Sequence, residues 1–128
     1  MTTKISVSQI ETVALTFAHA LAKGDYTKAY EMLSRTSKNE MSPFALKEGL
    51  EAILSIYKGL GHEDTDKIVD IQATGSLDDV PIFNAMEVGS AYISFAGASR
   101  TWQDGMAVMI EEHQPVGYCI GKIIWGAP

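Results

Sequence analysis

The sequence predicts an α+β fold in one domain spanning residues 1–128, with three N-terminal helices followed by a four-stranded antiparallel sheet. Three observations carry this reading. Apolar residues recur at helical spacing up to about residue 60, and the period falls to two after residue 61. The two regimes are also segregated along the chain, which excludes the alternating order of a parallel α/β sheet.

The first helix opens on Ser6, with Gln9 three residues on, a capping-box pattern. Ile5 and Ile10 stand where a hydrophobic staple would. Ile10, Val13, Ala14, Phe17, Ala20 and Leu21 share one face, and Gly24 suits the left-handed residue that ends the helix. Asp25 caps a second, shorter helix with Tyr26, Ala29, Tyr30 and Leu33 on its apolar side. Ser42-Pro43 opens the third, whose stripe is Leu46, Leu50, Ile53, Leu54 and Tyr57, stopped by Gly59 or Gly61. A polar connector, 61–66, leads to strands at about 67–74, 86–96, 102–111 and 116–125. Gly97-Ala98-Ser99 and His113-Gln114-Pro115 read as hairpin turns, and the segment around Asp78, Asp79 and Pro81 as a loop.

The strands pose a packing problem. A sheet covered on one side alternates apolar with polar residues, yet Met106-Ala107-Val108-Met109-Ile110 is apolar on both parities. Ala91/Ile93/Phe95 likewise oppose Met86/Val88/Tyr92/Ala96, and Tyr118/Ile120/Ile124 oppose Cys119/Ile123/Trp125. Amphipathic helices can cover one face only. A homodimer through the second face is the simplest cover; the alternative is a sheet that curls enough to bury part of both.

Charge and cysteine content bound the function. The net charge is −6, with residues 1–60 at +1 and residues 61–128 at −7. That balance opposes nucleic-acid binding and docking to an anionic membrane. It leaves open an acidic inhibitor of a basic protein, with Glu63/Asp64, Asp78/Asp79 and Glu111/Glu112 in loops or at strand ends. Cys119 is the only cysteine, so an internal disulfide is excluded. With no apolar leader or spanning segment in view, the expected location is cytoplasmic.

The stretch from Phe17 to Ser34, with Ala22-Lys23-Gly24-Asp25 and Ala29-Tyr30-Glu31-Met32-Leu33, resembles the first two helices of the NTF2-like (cystatin-like) superfamily. Met41-Ser42-Pro43-Phe44-Ala45-Leu46 is similar to the start of the third helix in bacterial members, and Ile123-Ile124-Trp125-Gly126 to the closing strand. The resemblance implies a cone in which a bent sheet wraps the first helix around a pocket. It spans isomerases, dehydratases, polyketide cyclases, transport factors, immunity proteins and domains without assigned roles, so it speaks to fold more than to activity. Enzymatic members often carry an extra strand between the second and third helices. Residues 36–41 are too short and polar for one, so catalytic positions do not transfer.

Within that frame the expectation is a non-catalytic, small-molecule-binding or accessory module, dimeric through the sheet, without a cofactor. An acid–base isomerase or dehydratase is the alternative. Asp70 and Asp104 are its only carboxylate candidates, Asp70 in a polar row with Gln72 and Thr74, Asp104-Gly105 equally readable as a turn or bulge. Phe17, Tyr30, Tyr57, Tyr92, Trp102 and Tyr118 are the expected contacts of a small apolar ligand. No metal site is expected. The three histidines are 43 and 51 residues apart, Asp64-x-Asp66 lacks the rest of a calcium loop, His19 falls on the solvent side of its helix, and His113 at a hairpin tip. Cys119 reads as a small buried hydrophobe.

Overall fold

A computed structural model describes residues 5–62, 68–78, 81–98, 102–113 and 117–126. Helices α1 (Val7–Ala22), α2 (Tyr26–Glu31), α3 (Arg35–Glu40) and α4 (Pro43–Gly59) precede strands β1 (Asp70–Ser76), β2 (Glu87–Ala96), β3 (Gln103–His113) and β4 (Gly117–Trp125). The strands form one antiparallel sheet in sequence order. The α+β fold is as the sequence predicts.

Local signals set the helix ends. The Gln9 amide donates to Ser6 Oγ at 3.1 Å, and the Ser6 amide to Gln9 Oε1 at 2.7 Å, completing the capping box. Ile5 and Ile10 are both buried behind it. Gly24 takes a φ of 79° just beyond α1. Asp25 and Ser42 cap α2 and α4 through the amides of Lys28 and Ala45. The helix α3 is a correction to the three-helix expectation. Ser34 caps it and only Ser37 within it is buried, so residues 35–40 carry no apolar stripe for periodicity to detect.

The core lies between the helices and one sheet face. Ile10, Phe17, Leu21, Leu46, Ile93, Met106, Val108, Ile110 and Ile120 are fully enclosed. Helix α1 runs against the sheet, and Glu11 Oε2 accepts the Gly75 amide at 2.8 Å, tying it to β1. Where α4 meets β4, the Trp125 ring lies over Gly49, and a Cβ there would come within 2.5 Å of the ring.

Register explains the double apolar parity. Ala91, Ile93 and Phe95 pair with Val108, Met106 and Asp104, placing all six on the helix side. Two bulges interrupt this order. Between Val108/Ile123 and Ile110/Ile120, Gly121 and Lys122 together oppose Met109. Between Gly89/Ile110 and Glu87/Glu111, Val88 is the extra residue. Each bulge shifts side chains by one position and bends the strand. Glu87, which by parity belongs with the core row, is thereby placed with Glu111 on the outer face.

Part of that outer face is covered by the chain itself. Residues 81–86 cross it: Asn84 Nδ2 donates to Glu111 Oε2 at 3.3 Å, and Lys122 Nζ lies 5.7 Å from the Phe83 ring centroid. On the free edge of β4, the Ser34 amide donates to the Ile120 carbonyl at 2.7 Å and the Ile120 amide to Met32 at 2.8 Å. Ser37 Oγ donates to the Gly121 carbonyl at 2.8 Å. Met109, Glu111 and Cys119 are buried inside one chain as a result. No described helix is long and apolar enough to cross a membrane.

Candidate functional site

The residues expected to line a pocket are spread over the described structure. Phe17 is fully buried in the core. Tyr30 packs between α2 and α3, its hydroxyl donating to the Lys38 carbonyl at 3.2 Å with Lys38 Nζ 5.9 Å from its ring. Tyr92 is half-buried on the outer face, in the row opposite Thr74 and Ala107. Tyr118 is half-buried on β4 opposite Glu112, and burial followed by the neighbouring Glu112 raises its pKa. The space enclosed between α1, α4 and the sheet, lined by Ala18, Leu21, Leu50, Ile71, Phe95 and Met106 among others, amounts to about 10 Å³.

Tyr57, Trp102 and Asp104 do come together. The Tyr57 ring stacks on Trp102 at 5.2 Å, and its hydroxyl shares one proton between Asp104 Oδ2 at 2.8 Å and the Gln103 carbonyl at 2.9 Å. Burial, then the bond to Asp104, pushes the Tyr57 pKa up to about 12. Burial and the Asp104 charge raise Tyr92 as well. Asp104 lies within β3 and is buried, which corrects the turn reading. Its second oxygen accepts the Gly105 amide at 2.7 Å. One carboxylate oxygen thus holds α4 to β3 through Tyr57, and the other is taken by the neighbouring backbone amide. Asp70 lines an open, mostly polar groove of about 270 Å³ with Gln72 and Ser94, beside Trp102 and Gln103 of this cluster.

A second constellation was not foreseen. Glu111 is buried within β3, a correction to its placement in a loop or at a strand end, and His113 ends the strand instead of sitting at a hairpin tip. Glu111 Oε1 and His113 Nε2 are 2.7 Å apart. Cys119, the cross-strand neighbour of Glu111, points its thiol at the Glu111 carbonyl at 3.8 Å. One ligand atom from each of the three lies within 4.8 Å of the other two. Burial, then the Glu111 charge, raises the Cys119 pKa to about 11, against a smaller lowering by Lys38. A Cβ at position 121 would overlap the Glu111 carboxylate, so glycine there leaves the space the side chain fills. On the opposite strand, Glu87 Oε1 accepts the Ile82 and Phe83 amides at 2.6 and 3.0 Å, while its Oε2 is buried without a partner. The sequence signal was thin: Glu111-x-His113 places two donors on one strand face, but Cys119 joins them only through the register of the next strand. His19 is exposed, as expected, and the Asp64-x-Asp66 segment lies outside the described residues.

Comparison with curated proteins returns no match, and comparison with solved structures returns none. Residues 10–82, which run from α1 through β1 into the crossing segment, match the family model described as the NTF2-like N-terminal transpeptidase domain. The match spans more than half of the chain and stops short of Asp104, Glu111, His113 and Cys119. The helices, sheet and matched span place the chain in this family of NTF2-like domains.

Proposed function

We propose that the chain is a non-catalytic accessory domain that works through its surface. The observation that carries this reading is how little space the described residues leave between α1, α4 and the sheet. That space, about 10 Å³, has room for about one water molecule, whereas ligand pockets run to roughly 300 Å³ and more. The description of the matched family, an N-terminal domain of transpeptidases, supports a place beside a catalytic unit. An acid–base role finds little support at Asp104, whose oxygens are committed to Tyr57 and Gly105. An acidic inhibitor finds less than the net charge suggests, because Glu87, Asp104 and Glu111, three of the ten acids after residue 60, are buried.

The test is a thermal-shift screen against small apolar molecules. The expected result is no saturable rise in Tm. A saturable rise of several degrees that Ala18→Leu abolishes would locate a ligand in the cone and overturn the reading.

A further inference from the structure

We propose that Glu111, His113 and Cys119 form a binding site for a divalent transition metal, with zinc the best fit. Carboxylate, imidazole and thiolate are the donors zinc takes, and together they favour it over the oxygen-seeking calcium and magnesium. Glu111 and Cys119 face one another on β3 and β4, and His113 lies two residues beyond Glu111 on β3, so the sheet holds all three. The required movement is small. Tetrahedral zinc, with bonds of about 2.0–2.3 Å, sets its donors roughly 3.3–3.8 Å apart, and the present donors all lie within 4.8 Å of one another. The Glu111–His113 pair, now hydrogen-bonded at 2.7 Å, opens to admit the ion while Cys119 closes in. Binding replaces the thiol proton, which leaves to solvent. A carboxylate and a thiolate then balance the doubly charged ion, with the imidazole as neutral donor.

The surroundings favour the same reading. Asn84 holds Glu111 Oε2 at 3.3 Å, leaving Oε1 on the His113 side, the kind of outer-shell bond that orients a ligating carboxylate. Glu87, directly opposite Glu111 in register, is 5% exposed and carries the one described buried side-chain oxygen with no hydrogen-bond partner. Among the described residues, the only basic group in ion-pair contact with Glu111 is His113. Two facing buried carboxyl groups with one imidazole in ion-pair contact favour a cation beside them. The His113 side chain, 34% exposed, leaves a path for entry.

The experiment uses the 128-residue chain without a histidine tag. Cobalt(II) is titrated as the optical probe, then displaced by zinc(II). The expected result is a one-to-one complex with a thiolate-to-cobalt charge-transfer band that zinc bleaches. Cys119→Ser removes that band, His113→Ala weakens zinc binding at least tenfold, and His19→Ala changes neither. Circular dichroism of each variant keeps loss of binding separate from loss of fold. Absence of the charge-transfer band in the wild type would overturn the proposal. So would zinc binding that folded His113→Ala and Cys119→Ser variants retain unchanged.

Discussion

Tyr57→Phe tests how α4 is held to the sheet. The phenylalanine ring keeps the stack on Trp102, 5.2 Å away, and removes only the hydroxyl that reaches Asp104 Oδ2 and the Gln103 carbonyl. Asp104 is buried and keeps one donor, the Gly105 amide. Losing the other should cost about 1–1.5 kcal/mol at neutral pH, or a Tm lower by roughly 3–6 °C for a domain of this size. The same hydroxyl predicts a pH signature. Its pKa is raised from an ordinary value of 10.0 to about 12, so the fold prefers the protonated form. That contribution is whole below pH 10 and is lost as pH climbs from there toward 12, because the unfolded chain ionises first. The slope is well under the limit of about 1.4 kcal/mol per pH unit, since the ring is half-exposed and solvent screens it. Tyr57→Phe lacks this loss, so the gap between wild type and variant narrows in alkali. Urea denaturation of both proteins from neutral to alkaline pH measures it. A neutral-pH gap below about 0.3 kcal/mol, or a gap unchanged between pH 9 and 11.5, refutes the assigned role.

The remaining expectations concern packing. Gly49→Ala should gain at most about 1 kcal/mol in helix propensity. The new Cβ would press within 2.5 Å of the Trp125 ring, and overpacking of about 1–3 kcal/mol should win; a Tm above wild type would reverse that balance. Phe17→Ala, at a fully buried position, should lose about 3–5 kcal/mol in urea, and a loss under 1 kcal/mol would mean the site collapses or was never filled. Ser6→Ala removes the α1 cap and should cost about 1 kcal/mol, read the same way. Equilibrium sedimentation at micromolar concentration should return a monomer, because residues 81–86 and the curl of the sheet already cover Met109, Glu111 and Cys119. A dimer that Ile124→Lys dissociates would restore the sheet-to-sheet interface.

The helices were legible because their signals are local. Ser6 with Gln9, Gly24, Asp25 and Ser42-Pro43 act within one turn, and each stands where the sequence places it. Strand positions were legible within a few residues from the alternation in β1 and from the apolar runs of the later strands, each bounded by turn residues. Helix α3 was not, because its cap and its contact with Gly121 are made by polar side chains that leave no apolar stripe. The site fared worst. Parity assigns Glu87 to the core row, and only the bulge at Val88, a feature of pairing between two strands, turns it to the face of Glu111.

That displacement bears on what the acidic half of the chain means. Charge counted along residues 61–128 suggests an acidic exterior, but Glu87, Asp104 and Glu111 are inside, and they are used differently. Asp104 has a donor on each oxygen and serves as a latch between β3 and α4. Glu87 and Glu111 face one another with one oxygen unpartnered, an arrangement less stable than a packed apolar pair at the same positions. A sheet that needed only to close would gain from leucine or valine there. What the carboxyl groups add is a convergence of oxygen, nitrogen and sulfur donors beside an accessible imidazole, and binding a cation would offset the cost of burying them. Set against the space of about 10 Å³ between α1, α4 and the sheet, the donors gathered at the bulged end of β3 are the stronger argument for binding chemistry.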